Sequence, residues 1–277
     1  MRAIVIDEGG APRPADVPEP VDGVRVLACG LCGSDVEKLT PAHAGRVLGH
    51  EVVAAVDGRR VALVHHAPCG TCDRCRAGHE TTCERFAMAT IRPGGFAERV
   101  SADGWVELPE EVDDARGTMV EPLACVLRGI ERVPGGRVLV VGHGFVGRLF
   151  AEMLRRRGDD VFAVDMDPRR SGPEPDGPVD AAVLAGAGGA EAAAAAVAPG
   201  GTVLVFADAG AIPAEPVYRK ELTVVGSRSA TPASMAEAAR LLPVLDLPDP
   251  LVLPLDRFDE GLARFRDRDV LKVVFVP

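Results

Sequence analysis

Residues 138–154 read VLVVGHGFVGRLFAEML. Four apolar β-formers, Val138 to Val141, stop at Gly142; glycines return at 144 and 147; from Val146 to Arg157 the apolar residues take a helical spacing. A strand, a Gly142-x-Gly144-x-x-Gly147 turn and a helix in that order form a dinucleotide-binding unit: the glycines allow a tight turn and a close backbone approach, and the helix amides face a pyrophosphate. Phe145 and Val146, inside the turn, are counted with the glycines as cofactor-binding residues. The next apolar run, VFAVD, ends at Asp165, about twenty residues beyond the turn, where a carboxylate accepts from both ribose hydroxyls and favours NAD. Arg169 and Arg170 follow closely enough to hold a 2′-phosphate, which keeps NADP open and places Arg170 among the cofactor residues. Asp165 would repel that phosphate. A domain of this shape binding another nucleotide, or none, is the plainer alternative.

Outward from that unit, helical runs such as Glu121 to Val133 and Val146 to Arg157 alternate with the apolar runs Val138–Val141, Val161–Val164, Ala181–Leu184, Val203–Phe206 and Leu222–Val225. Such alternation predicts a doubly wound parallel sheet, hence an α/β fold. Before residue 120 the texture differs: Ala3–Ile6, Val24–Ala28, Val52–Val56, Arg60–Val64 and Phe96–Val100 are short valine-rich segments bounded by Gly, Pro or Asp, the pattern of a compact β domain. The tail after Pro243 places a helix-like DEGLARFRDRD between strand-like LVLPL and LKVVFV. It is too short to fold alone.

Composition narrows the function. With 277 residues, 47% of them hydrophobic, the chain can bury a core of one large or two ordinary domains. No apolar run approaches the roughly 18 residues of a spanning helix. A net charge of −10, from 31 basic and 41 acidic residues, argues against a nucleic-acid surface and for small-molecule partners. MRAIVIDE reads as a strand and not as a secretory signal, so a cytoplasmic location is expected.

Two sets of metal-ligating residues stand out. Cys69, Cys72, Cys75 and Cys83 crowd into CGTCDRCRAGHETTC, a spacing that lets one lobe, about residues 65–90, wrap four thiolates around a tetrahedral zinc. Four cysteines leave no open coordination position, so this site is structural. A disulfide framework is the alternative for such a cluster. The second set is scattered: Cys32 in CGLCGSD, His50 and Glu51 in LGHE, and Glu121 in MVEPLAC. Singly, each reads as a packing cysteine, a satisfied histidine or a helix start. Together, one sulfur, one nitrogen and one or two oxygens form the open set that a catalytic zinc needs.

With CGLCGSD, GHE, the four-cysteine lobe, GGFAERV, EPLA, GHGFVG with Asp165, PGGTVLVF, ELTVVGS and LKVVFV, the chain resembles the zinc-dependent medium-chain dehydrogenases, the superfamily of alcohol, sorbitol, threonine and glucose dehydrogenases. The resemblance covers nearly the whole sequence. It implies a GroES-like catalytic domain over 1–122 and 244–277 and a Rossmann domain over 123–243, with the active site and nicotinamide in the cleft between them. It implies two zincs per chain, Cys32 and His50 on the catalytic one. Glu121 matches the glutamate of the polyol-type branch, Glu51 a glutamate that exchanges with water or substrate on the metal, and Ser34 the hydroxyl that touches the alcohol and starts its proton relay. A homodimer or homotetramer paired through Rossmann sheet edges is implied as well.

Departures limit what carries over. Glu37 stands where many sorbitol- and threonine-type members have a relay histidine. The loop between Cys32 and His50 is short. After Asp165 the proline-rich link DPRRSGPEPDGPVDAAVLAG replaces a helix and the third Rossmann strand, so the sheet is expected to be trimmed after its second strand. His143 within the glycine turn, and Phe145 where a proline is common, are further oddities. Arg228 in VGSRSAT is a candidate cofactor contact at a strand end; His65, His66, Cys29 and Cys125 are expected to pack or lie at the surface. The leading expectation is hydride transfer between a secondary alcohol (polyol, cyclitol, sugar or amino alcohol) and NAD. The alternatives are an NADPH-dependent ketone reductase and a degenerate zinc-binding homologue without catalysis.

Overall fold

The computed structural model describes residues 1–86, 88 and 90–277, which form two compact units: 1–124 with 229–277, and 125–228. In the first, β1 (Arg2–Ile6) pairs antiparallel with β2 (Pro12–Asp16), and β3 (Val24–Gly30), β4 (Glu51–Val56), β5 (Arg59–Leu63), β6 (Ile91–Arg92), β7 (Arg99–Ala102) and β8 (Trp105–Glu107) form the body of a larger sheet. The second unit supplies β9 (Arg137–Val141), β10 (Asp160–Val164), β11 (Val179–Leu184), β12 (Val197–Val205) and β13 (Thr223–Gly226). The tail returns to the first unit as β14 (Leu251–Pro254) and β15 (Val273–Val276). Nine helices are described: α1 (Gly33–Glu37), α2 (Asp73–Arg76), α3 (Asp114–Gly117), α4 (Val120–Ile130), α5 (Phe145–Arg157), α6 (Ala190–Ala196), α7 (Ala214–Lys220), α8 (Pro232–Leu241) and α9 (Phe258–Arg266).

The first unit's main sheet runs β14-β15-β3-β4-β5-β8, with β7 also on β3 and β6 on β7. β15 lies antiparallel to β3 with Val274 opposite Gly30, and β4 lies antiparallel on the other side with Glu51 opposite Gly30. The end of β3, the start of β4 and the start of β15 therefore meet at one place. Beneath them Phe96, Phe258 and Phe275 pack edge-on and stacked among Ile4, Leu31 and Leu63. Phe96 precedes the strand expected over Phe96–Val100, which instead runs Arg99–Ala102.

In the second unit the parallel order is β10-β9-β11-β12-β13. The chain winds outward from β9 to β10, then returns past β9 to β11, and β10 is left as an edge. The sheet is thus trimmed after its second strand: residues 165–178 contain one short 3₁₀ turn, Pro168–Arg170, where a further strand and helix would fit. α5 packs on β9 and β10 through Leu149, Phe150, Ala151 and Leu154. The unit ends at 228 and not at the expected 243, because α8 packs on β8 and belongs to the first unit. Within the expected 65–90 lobe, Ala87 and Ala89 lie outside the described residues.

Candidate active site

Cys32 follows β3 by one residue and caps α1; His50 immediately precedes β4, and Glu51 opens it. Ligand atoms of Cys32, His50 and Glu51 lie within 4.8 Å of one another. Glu121 is buried in the first turn of α4 but stands outside that close group. Ser34 Oγ donates to Cys32 Sγ at 3.5 Å. Glu37, at the end of α1, is exposed.

The organising residue is Asp35, which the sequence reading passed over. It is 2% exposed. Its Oδ1 accepts from His50 Nδ1 at 3.1 Å and from the Gly49 amide at 3.3 Å, while Oδ2 accepts from the Cys32 amide at 3.1 Å. One carboxylate thus fixes the loop after β3 and the loop before β4. By taking Nδ1–H it leaves His50 Nε2 to ligate a metal, the arrangement that orients metal-binding imidazoles. Burial works against charge on either group, but Asp35 and Cys32 outweigh it and hold the His50 pKa well above normal. Burial likewise pushes Asp35 up, and the His50 ring and the Cys32 amide bring it below the usual carboxylate value. A charged imidazole, or a metal cation in place of its proton, balances the buried Asp35 carboxylate. A sulfur, an imidazole nitrogen and a carboxylate fit zinc, with room for a further ligand.

His65 lies against His50, ring centroids 4.8 Å apart, and the stack continues through His66 at 3.9 Å to Phe86 at 4.0 Å. Burial, with the neighbouring His50, pushes the His65 pKa down to about 2, so its ring is neutral. The pair expected to lie at the surface or in packing forms a column leading from His50 toward the cysteine lobe.

In that lobe Cys69 and Cys75 sulfurs are 4.0 Å apart and Cys72 and Cys83 sulfurs 3.9 Å, with all four within 4.8 Å. These separations are twice a disulfide bond and close to the ~3.8 Å edge of a tetrahedron with 2.3 Å zinc–sulfur bonds. Amides point at the sulfurs: Cys72 N donates to Cys69 Sγ at 3.3 Å, and Cys69 N and Arg85 N donate to Cys83 Sγ at 3.4 and 3.3 Å. Hydrogen bonds from Thr71 and the Cys72 amide draw the Cys69 pKa down to about 5, whereas burial and neighbouring sulfurs push Cys75 up to about 12. The hydrogen bonds favour a thiolate at Cys69, whereas Cys75 keeps its proton unless a cation takes that proton's place.

In the second unit Gly142 has φ +91°, and a Cβ on Gly147 would strike the Gly142 carbonyl oxygen. A Cβ on Gly144, the residue capping α5, would meet nothing within 4 Å: that face of the turn is open. The helix begins at Phe145, so the amides of Phe145, Val146 and Gly147 border the opening. Asp165 Oδ2 accepts from the His143 amide at 2.7 Å and Oδ1 from the Asp167 amide at 2.9 Å; each oxygen retains a lone pair. His143 Nδ1 meets the Arg170 carbonyl at 2.6 Å, tying the shortened link to the glycine turn. Arg169 grips Asp167 through Nε and Nη2, at 3.0 and 2.8 Å, and Arg170 Nε is 3.7 Å from the same carboxylate. Arg228, just past β13 at the same edge of the parallel sheet, is exposed; its carbonyl accepts from Arg128.

The alcohol dehydrogenase GroES-like domain family matches residues 23–110. Across most of its length the chain is 33% identical over 271 residues to the D-altritol 5-dehydrogenase of Agrobacterium fabrum (strain C58), covering 78% of this chain and 79% of that protein. The chain belongs to the zinc-dependent medium-chain dehydrogenases. Another relative is the L-galactonate-5-dehydrogenase of Escherichia coli K12, 26% identical over 313 residues, with 92% and 91% of the two chains covered. Among solved structures, a Sinorhizobium meliloti 1021 protein described as a zinc-binding dehydrogenase and bound to NADP matches with a TM-score of 0.81 at 26% identity, over 100% of this chain and 99% of that one. The chain is accordingly a zinc- and NAD(P)-dependent alcohol oxidoreductase. Among the described residues, no helix is long and apolar enough to cross a membrane.

Proposed function

We propose that the chain oxidises a secondary alcohol of a polyol, cyclitol, sugar or amino alcohol with NAD, at a zinc held by Cys32 and His50. The observation that carries this reading is the convergence of Cys32, His50 and Glu51, with Asp35 holding His50 Nδ1. The polyol class is supported by relatives named for altritol and galactonate oxidation. A bound zinc supplies Lewis acidity toward the alcohol oxygen, and a bound nicotinamide accepts the carbon-bound hydride. Cys32 and His50 fix where the alcohol oxygen is received. Ser34 Oγ, beside Cys32, takes the hydroxyl proton as it gives up its own toward solvent, with exposed Glu37 further along the same helix. Glu121 stands in reserve, as a ligand reached only by rearrangement. Gly144 and the α5 amides receive the pyrophosphate, Asp165 the ribose, and Arg228 the outer side of the cofactor.

Asp165 and the engagement of Arg169 with Asp167 favour NAD over NADP. The remaining parts of the reading are a second zinc on Cys69, Cys72, Cys75 and Cys83, a cytoplasmic location, and a homodimer or homotetramer. Edge strand β13, with Val224 exposed, supports pairing between copies. A panel of polyols, cyclitols and amino alcohols, each offered with NAD and with NADP and followed by nicotinamide absorbance, tests the proposal. Turnover of one compound class with NAD is expected. Silence with every compound from protein carrying two zincs would overturn it, and a strong NADPH preference would overturn the role given to Asp165.

A further inference from the structure

The loop after β10 has no third strand to flank it, and a histidine from the glycine turn supplies a support in its place. β10 is an edge of the parallel sheet, and Asp165 opens the link 165–178, whose one regular piece is the 3₁₀ turn Pro168–Arg170. Asp165 is nevertheless gripped at both oxygens: Oδ2 accepts from the His143 amide at 2.7 Å and Oδ1 from the Asp167 amide at 2.9 Å. The first grip comes from the glycine turn. The second comes from the link, so it is only as firm as the link itself. The 3₁₀ turn closes on Asp167, whose carbonyl accepts from the Arg170 amide at 2.9 Å. The His143 ring catches the far end of that turn, with Nδ1 2.6 Å from the Arg170 carbonyl oxygen. A carbonyl only accepts, so Nδ1 carries the ring proton. Ser171 and Gly172 fasten the link back to β10, at Asp165 and Ala163; His143 fastens it across to the turn before α5.

We propose that the His143 side chain is a positioning residue for the adenosine ribose of the cofactor. The ring holds the link, the link holds Asp165 Oδ1 through the Asp167 amide, and Asp165 is fixed with its remaining lone pairs free for the ribose hydroxyls. This rests on the reading of Asp165 as the ribose ligand. Two amides, one on each oxygen, set the plane of the carboxylate, whereas the His143 amide alone leaves it free to turn about Oδ2. A carboxylate that has to be ordered as the ligand arrives binds more weakly than one already in place. Loss of the ring is therefore felt by ligands that present ribose hydroxyls. The pyrophosphate is spared, because Gly144 and the amides at the start of α5 are untouched.

The test is isothermal titration calorimetry of the full chain with ADP and with 2′,3′-dideoxy-ADP, which keeps the pyrophosphate and lacks both hydroxyls. Wild type is expected to bind ADP more tightly than the dideoxy compound. His143→Ala is expected to bind ADP and NADH about 10-fold more weakly, the scale of one hydrogen bond to a charged group, and to bind dideoxy-ADP as wild type does. His143→Asn, whose Nδ2 donates from the place of Nδ1, is expected to restore the ADP affinity. Should His143→Ala not fold, His143→Phe, a ring without a donor, takes its place with the same expectation. Equal weakening of ADP and dideoxy-ADP would make His143 a prop of the glycine turn and overturn the proposal, as would unchanged affinities, or an Asn variant as weak as the Ala one. A wild type that binds the two compounds equally would instead overturn the ribose role of Asp165, and one that binds neither ADP nor NADH would overturn the dinucleotide reading beneath both.

Discussion

The two metal-ligand clusters of the first unit are built on opposite plans. The lobe takes four like ligands from fifteen consecutive residues, three of them only partly buried, and steadies the sulfurs with amides from the same short segment. The Cys32–His50–Glu51 group takes three unlike ligands from a helix cap and a strand start, and depends on two further residues, Asp35 and Lys272, one of them 240 positions from Cys32 in the chain. Local spacing suffices to make a closed site that holds its place. The unlike group needs supporting partners, Asp35 at His50 and Lys272 at Glu51, that only the folded sheet brings together.

The strongest way to break this contrast is Cys32→Ala. Activity is expected to fall below detection while the lobe keeps its zinc, as a steady-state assay with metal analysis will show; loss of both zincs, or surviving activity, would join what we separate. Next, Asp35→Asn is expected to cost ~10–100-fold in zinc affinity at His50, the scale for a carboxylate supporting a metal-bound imidazole, and nothing at the lobe, as measured by competition with a chelator. Cys72→Ser should do the reverse, releasing the lobe zinc and lowering Tm by ~5–10 °C on the scale of ~2–4 °C per kcal/mol for chains of this size. Calorimetry with metal analysis checks it, and an unchanged Tm would deny the lobe its structural role.

The smallest effect is in pH. A raised pKa on His50 means that its proton competes with the metal from well above the ordinary ~6.5 downward. At the lobe Cys69 stays a thiolate down to about 5, but a proton competes for Cys75 up to about 12. Acidifying zinc-loaded protein against a weak chelator should therefore release zinc from both sites. A site that keeps its zinc throughout the acid range would contradict the assignment of these pKa directions.

What the sequence made legible follows the same division. The lobe and the Gly142–Gly147 turn are read from short spacings, because the residues that cooperate in space are neighbours in the chain. The missing third strand was legible from prolines 168, 173, 175 and 178, which leave no room for a strand or a helix. Asp35 was hidden because an acid two residues into a helix looks like any N-terminal carboxylate; its one signal was the exchange of bonds with the cap residue three positions earlier. Lys272 was hidden inside LKVVFV, where a lysine amid apolar strand residues should have raised the question of its partner. The boundary expected at 243 failed because α8 has an ordinary amphipathic pattern, which says that it packs but not on which sheet. Glu121, placed among the ligands by resemblance, is buried yet set apart from them, a spacing that no sequence pattern records.

The most direct measurement is anomalous scattering at the zinc absorption edge from crystals of the full chain. The account predicts two sites per chain, one inside Cys69, Cys72, Cys75 and Cys83 and one bonded to Cys32 Sγ and His50 Nε2. A single zinc in the lobe, with His50 bonded only to Asp35, would contradict it.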